Sequence, residues 1–402
     1  MEFAERLKKL GSENAFNVLA KVIKLREQGK DVISFCIGEP DFDTPQNIKQ
    51  AAIKALNNNM THYSPSGGLP VFKRTIAQYI SRTRKINVGE ENVCISSGAK
   101  PIIYYIIHAI LNPGDEAIYP SPGYPTYESL INFVEGKAVA LPLLESKEFS
   151  FDINTLASLI TKKTKLIIIN TPQNPTGGFL SKKDLQAIAD IAINNNIYVL
   201  SDEIYSRILY EGEFSSISSI PKMLERTILV DGFSKAYAMT GWRLGFGVAN
   251  KELIKELTNL ENNCVACTTT FNQFAGIEAL TGSQDSVEEM VRQYRERRDL
   301  IVELLNDIKG ISCLKPKGAF YVFPNVTEAI KILGLADAEQ FQDYLLNNFG
   351  VAILARTSFG KKNIGETEEY IRISYATSKE TIREGMKRIK SAVERGNKNK
   401  NF

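Results

Sequence analysis

Short runs of apolar, β-branched residues alternate with long amphipathic stretches through most of this 402-residue chain. The runs predict strands at Val93–Ser96, Ala117–Tyr119, Ala138–Leu141, Leu166–Asn170, Tyr198–Ser201, Thr227–Val230 and Leu244–Val248. Leu166–Ile169 is apolar without alternation, as expected of a parallel strand buried on both faces. Helical patterns lie between the runs. Ser181–Asn194 opens with a Ser-x-x-Asp capping box, and Asp152–Ile160 and Pro101–Leu111 read similarly. Strand–helix repetition on this scale predicts an α/β fold whose mainly parallel sheet is flanked by helices.

Near Leu253–Arg298 the pattern changes to long helices. Strand-like Gly318–Phe323, Val351–Leu354 and Tyr370–Tyr375 follow, then a last helix from Lys379. We expect a large domain over 46–285 and a smaller α/β domain over 286–396. The N-terminal segment 1–45 is expected to return to the smaller domain, and the polar tail 397–402 to fray.

Composition removes several classes of function. Apolar residues make up 43% and charged residues 24%, which excludes wholesale disorder. A net charge of +3, with no long basic run before the tail, argues against a dedicated nucleic-acid binder. The longest apolar stretch, Pro101–Leu111, is interrupted by His108 and falls far short of the roughly 20 residues of a membrane helix. The N-terminus is charged and amphipathic, without an apolar leader, so a cytoplasmic enzyme is expected. Five cysteines imply no disulfide framework. Cys264 and Cys267 form a C-x-x-C, but no second pair follows, and the pair reads as small residues at a helix entrance. His62 and His108 are too few and too far apart to suggest a metal site.

Four segments at strand ends carry the chemistry. Gly232–Gly245 follows the strand Thr227–Val230 and holds Ser234, Lys235 and Arg243 among bulky apolar neighbours. Open α/β sheets place ligands at such strand ends. In Thr171–Gly177 two prolines fix the backbone and hold Asn174 just past a strand. In Ser201–Tyr205, Asp202 ends a buried strand and needs a cationic partner or hydrogen bonds, or serves as a helix cap. In Ser96–Lys100, small residues lead into a helix N-terminus, the arrangement of an anion nest. Each segment alone has a plainer reading (a solvated lysine, a turn, a helix N-cap, an ordinary loop), and their order carries the information.

That ordered set resembles the class I pyridoxal-phosphate (PLP) aminotransferases of fold type I, in particular the prokaryotic aspartate aminotransferase-like subgroup. The resemblance also takes in Ile37–Phe42 (IGEPDF), His62–Gly68 (HYSPSGG), Pro120–Tyr127 (PSPGYPTY) and Tyr370–Ala376 (YIRISYA). It implies a PLP-transferase fold and amino-group transfer from an L-amino acid, aspartate first, to a 2-oxo acid, 2-oxoglutarate first. It implies further that Lys235 carries the cofactor through its ε-amine and moves the α-proton. Asp202 would bind the pyridine nitrogen, and Tyr205 and Asn174 the ring's phenolic oxygen. Gly98, Ala99 and Lys100 match the phosphate loop, completed by Ser234 and Arg243. Tyr124 matches the aromatic that stacks on the ring. Tyr63 matches a tyrosine that reaches the neighbouring subunit's phosphate, which implies a homodimer with shared sites. Arg372 matches the arginine that grips the substrate α-carboxylate, with Gly38 offering a backbone contact to the same group.

One departure stands out. Where the subgroup often has a Pro-Gly-Ser-like loop, this chain has Leu354-Ala355-Arg356-Thr357-Ser358. Arg356 is expected either to favour an acidic side chain or, the reading we prefer, to be solvated. The substrate pocket is expected near Ser12–Val18, Tyr124 and Arg356. Other PLP chemistry (a β-lyase, decarboxylase or oxidase) or an aromatic donor would use much the same residues. A ligand-sensing regulator on this fold would need an attached DNA-binding segment, for which the first 40 residues leave no room.

Overall fold

The computed structural model describes residues 2–11 and 14–398. Its strands, in chain order, are β1 (Ile33–Ser34), β2 (Val93–Ser96), β3 (Glu116–Ser121), β4 (Lys137–Leu144), β5 (Ser150–Phe151) and β6 (Thr164–Asn170). Then come β7 (Tyr198–Asp202), β8 (Thr227–Gly232), β9 (Gly245–Val248), β10 (Tyr321–Val322), β11 (Val351–Ala352), β12 (Leu354–Ala355) and β13 (Ile371–Ser374). Eight of them form one sheet in the order β2-β9-β8-β7-β6-β3-β4-β5. The inner run β8-β7-β6-β3-β4 is parallel throughout, while β9 runs antiparallel to both β2 and β8.

Both faces of this sheet are covered, as the unalternating run at 166–169 requires. Leu166 and Ile168 pack with Ile102 and Ile106 of helix Ala99–Ile110, whereas Ile167 and Ile169 pack with Leu185 and Ile188 of helix Lys182–Asn194. The predicted capping box is present: the Ser181 hydroxyl accepts from the Asp184 N–H at 3.1 Å, and Asp184 accepts from the Ser181 N–H at 2.9 Å. Asp152 caps helix Ile153–Leu159 from one side only, its carboxylate accepting the Asn154 and Thr155 N–H groups.

A second body of core surrounds the antiparallel sheet β10-β13-β12, with Ile301, Phe320, Tyr321 and Ile373 buried together. The N-terminal segment reaches it: β1 pairs in parallel with β11, and the Ser374 N–H donates to Phe35 O at 3.0 Å. The closing helix runs Lys379–Lys398, so 397 and 398 continue it; 399–402 of the expected frayed tail lie outside the described residues. Among the described residues no helix is long and apolar enough to cross a membrane.

Register sets up the functional edge. Asn170 of β6 lies opposite Asp202 of β7, and Asp202 opposite Val230 of β8. The loops that leave these three strands therefore emerge side by side. The antiparallel return of β9 puts Gly245 opposite both Gly232 and Ser96, which draws the 97–99 loop to the same edge.

Candidate active site

At that edge a cavity of about 320 Å³ opens between the large sheet and the smaller body. Ala99, Lys100, Tyr124, Asn174, Asp202, Tyr205, Ser234, Lys235, Arg243, Arg372 and Gly38 all line it, which brings together every expected site residue except Gly98 and Tyr63. Gly98 directly precedes the lining. Tyr63 is 90% exposed and stands apart from the cavity in the single chain.

Lys235 leaves the end of β8, and its Nζ donates to Gly38 O at 2.5 Å. Gly38 must be a glycine for a local reason: a Cβ there would overlap the Tyr321 hydroxyl. Asp202 is buried and accepts the Tyr127 hydroxyl at 2.6 Å and the Ile204 N–H at 3.2 Å. Burial pushes its carboxyl up to about 6, and these two hydrogen bonds pull the other way. A cation facing it would offset that burial.

The Asn170 amide locks the turn between strand and Asn174. Its Nδ2 donates to Asp202 O at 3.0 Å and its Oδ1 accepts the Asn174 N–H at 2.9 Å. The Asn174 Oδ1 accepts from Arg372 Nη1 at 2.9 Å. Arg372 sits on β13 between Ile371 and Ile373 and is buried. Its Nη2 donates to Cys36 O, and its guanidinium lies over the rings of Tyr321 (4.6 Å) and Phe359 (4.8 Å). Among the described residues its buried Nε has no hydrogen-bond partner. A guanidinium held this way, with a donor left over, is suited to a carboxylate. Tyr205 and Tyr321 share a hydrogen bond of 2.7 Å between their hydroxyls, and burial raises the Tyr205 phenol well above its usual range.

The opposite wall has the make-up of an anion cradle. Helix Ala99–Ile110 starts two residues earlier than the sequence predicts, because Gly98 takes φ +100° and turns the chain into it. A Cβ on Gly98 would overlap Arg243 Nη2, so glycine also lets the guanidinium approach the loop. Arg243 is held by Thr240 O at 2.9 Å and Ser97 O at 3.4 Å. The N-terminus of this helix, whose first N–H groups no carbonyl of its own helix can reach, lies at the same wall through Ala99 and Lys100. Lys100 Nζ lies 5.4 Å from the centre of the Tyr124 ring, which packs edge-on against Tyr127.

Two expectations fail here. Arg356 is neither solvated nor in the pocket: it is 0% exposed, and its Nε and Nη2 pair with Glu366 at 2.7 and 2.9 Å. Ser358 and Phe359 line the cavity in its place, with Asn14, Ala15 and Phe16 of helix Asn14–Glu27; Ser12 of the expected stretch lies outside the described residues. Cys264 closes helix Lys251–Cys264 rather than opening a helix, and both Cys264 and Cys267 are free thiols. Among the described residues no cluster of three or more His, Cys, Asp or Glu could hold a metal.

Sequence reasoning missed Tyr127, Asn170, Tyr321 and Phe359. Tyr127 and Asn170 end segments already singled out, but only the fold shows which neighbour each touches. Tyr321 and Phe359 come from the smaller body, and no spacing relates them to the strand ends.

Comparisons with known proteins agree with this geometry. The sequence profile described as "Aminotransferase class I and II" matches residues 30–389. An aspartate aminotransferase of Pyrococcus horikoshii is 43% identical over 94% of this chain and 96% of its own. The crystal structure of an aspartate aminotransferase from Rhizobium meliloti superposes with a TM-score of 0.93 at 33% identity, covering 98% of this chain and 99% of that one. An aromatic aminotransferase from P. horikoshii superposes at 0.86, with 38% identity over 93% of this chain and 99% of that one. With fold, strand-end residues and near-full-length similarity in agreement, this chain belongs to the class I and II aminotransferase family and is an aminotransferase.

Proposed function

We propose that the cavity takes pyridoxal 5'-phosphate and that the protein moves the amino group of an L-amino acid, aspartate first, to a 2-oxo acid, 2-oxoglutarate first. The donor leaves as its oxo acid before the acceptor enters. The observation that carries this reading is the arrangement of Lys235 and Asp202 on one cavity, between an anion cradle at Gly98–Lys100 and a carboxylate fork at Arg372. The residues fit the cofactor: glycine keeps the cradle open to Arg243, and the donors there are backbone N–H groups and a guanidinium.

When bound, PLP supplies an electron sink for charge developing at the substrate α-carbon. The protein's own groups do the rest. Asp202 would hold a proton at the pyridine nitrogen, and that cation would relieve its buried charge. The Lys235 amine would anchor the cofactor and then carry a proton to and from the substrate α-carbon. Arg372 would grip the α-carboxylate and so orient the α-C–H bond. Ser234, Arg243 and the helix N-terminus would hold the phosphate, and Tyr124 would face the ring.

Aspartate is placed first because relatives such as the P. horikoshii enzyme carry that activity in their names. Lys100, Lys235, Arg243 and Arg372 line the cavity against the carboxylate of Asp202. A phosphate brings nearly two negative charges and the α-carboxylate one, which together balance that lining. A second reading, an aromatic donor, is favoured by the aromatic walls Phe16, Tyr124, Tyr321 and Phe359. We also infer a homodimer, in which the exposed Tyr63 would serve a neighbouring site, and a division into domains at 46–285 and 286–396.

The test is a panel of amino donors with 2-oxoglutarate, read by oxo-acid formation and by cofactor absorbance. Aspartate should be the best donor, and borohydride should fix the cofactor on Lys235. Ammonia release without an acceptor, or labelling at another lysine, would overturn the reading.

A further inference from the structure

Arg356 has no route to the substrate, yet it is the most thoroughly engaged side chain beside the cavity. Beyond its two bonds to Glu366, Nη1 donates to Gly360 O at 2.9 Å and Phe359 O at 3.4 Å. Nη2 also donates to Lys361 O at 3.2 Å and to Ser121 Oγ at 3.1 Å. The guanidinium is therefore the hub around which residues 356–366 fold back. Glu366, which closes the turn, also accepts from the Asn363 N–H at 2.8 Å and from Asn363 Nδ2 at 2.9 Å.

The hub also crosses between the two bodies. Ser121 ends β3 of the large sheet, whereas Arg356 follows β12 of the small one. Asn363 Nδ2 donates to Ser121 O at 3.1 Å, and the Gly123 N–H donates to Phe359 O at 3.1 Å. Gly123 directly precedes Tyr124. The same turn therefore touches the segment carrying the ring-facing aromatic and holds Phe359 against the Arg372 guanidinium. Ser358, also on the turn, accepts from Asn14 of the first helix at 2.9 Å.

We propose that Arg356 is a positioning residue for substrate binding: paired with Glu366, it fixes the 357–363 turn between the Ser121–Tyr124 segment and Arg372, and so sets how well the cavity receives a carboxylate. This rests on the reading above that Arg372 takes the substrate α-carboxylate. A buried guanidinium with its partner acid forms one unit. Removing one member leaves a stranded charge, whereas replacing both leaves an apolar contact of similar volume. The informative variant is thus the double replacement R356M/E366M, compared with R356K, which keeps the charge but loses the planar fork.

The holoenzyme is assayed two ways: steady-state kinetics with the best donor, and calorimetric binding of succinate, a dicarboxylate with no amine to give. We expect R356M/E366M to weaken succinate and raise the donor KM, each by about tenfold, with kcat within about twofold of the parent, because displaced positioning groups act on binding first. R356K should fall between the two. Parental KM and succinate affinity in a folded R356M/E366M protein would overturn the proposal. So would an equal loss in kcat with KM unchanged. If the double variant does not fold, R356K decides: parental KM and succinate affinity there overturn it. A parent enzyme that transaminates no donor would refute the functional reading instead, and succinate binding would still judge Arg356.

Discussion

The Tyr127 hydroxyl donates to Asp202 Oδ2 at 2.6 Å, both groups are buried, and Tyr127 in turn packs edge-on against Tyr124. One tyrosine thus braces both the acid expected at the pyridine nitrogen and the aromatic expected to stack on the ring. Tyr127→Phe keeps the packing and deletes the donor. The hydrogen bond holds the Asp202 carboxyl down, so its loss moves that group further up. A hydrogen bond to a charged group is worth about 1.5–3 kcal/mol, so kcat/KM should fall by at least about tenfold. Steady-state kinetics across pH checks this; an unchanged profile would reduce Tyr127 to packing.

Asp202 should also make the cofactor-free protein pH-sensitive. Its folded carboxyl titrates at about 6, above the usual 3.8, chiefly because it is buried. A raised acid favours the folded state while protonated in both states, and that contribution is lost as pH rises through the folded value. Cofactor-free Asp202→Asn should therefore be more stable than the parent at pH 7.5, by ~3 kcal/mol, with the gap closing near pH 4. Urea unfolding of both proteins at the two pH values measures it. A gap that widens on acidification would contradict the assignment.

Much of this site was readable from sequence because strand ends in a parallel sheet need no long-range information. A buried run followed by a polar residue and a turn marks where Asn174, Asp202 and Lys235 emerge, and adjacent parallel strands then bring them together. Arg356 shows the limit. Beside a binding strand, an arginine on sequence alone is a surface cation or a ligand group. Its burial depends on Glu366 ten residues on and Ser121 in another sheet, and neither pairing has a local signature. Tyr321 and Phe359 were missed for the same reason: their task is set by where the smaller body docks.

Arg372 offers a test that addresses both halves of the reaction. Donor and acceptor each carry a carboxylate beside the reacting carbon, so a fork that grips it must serve both. Arg372→Lys keeps the charge but cannot reach Asn174, Cys36 and a carboxylate together. KM should rise by about a hundredfold for the amino donor and the oxo acid alike, the loss of one charge-assisted hydrogen bond or more. Initial rates with each substrate varied in turn decide it; a rise confined to the donor would rule out the shared grip.

Arg84 joins Glu203, just past the end of β7, to Asp231 on the neighbouring β8. Its Nε meets Glu203 at 2.7 Å, and its Nη2 meets Asp231 at 3.0 Å and Ser206 at 2.8 Å, all buried. Glu203 adjoins Asp202 in sequence, and Asp231 lies four residues before Lys235, so the cluster supports both functional loops. Arg84→Met strands two buried carboxyls and should cost about 3–5 kcal/mol near neutral pH. Burial raises Asp231 to about 7, with Arg84 opposing it, so without the guanidinium Asp231 takes up a proton more readily. Acidification to pH 5 should therefore shrink the loss, because a protonated Asp231 no longer repels Glu203. Urea unfolding at pH 5 and 8 tests the pair of expectations: a loss below about 1 kcal/mol at pH 8, or one that grows on acidification, would show that Arg84 does not hold the two acids together.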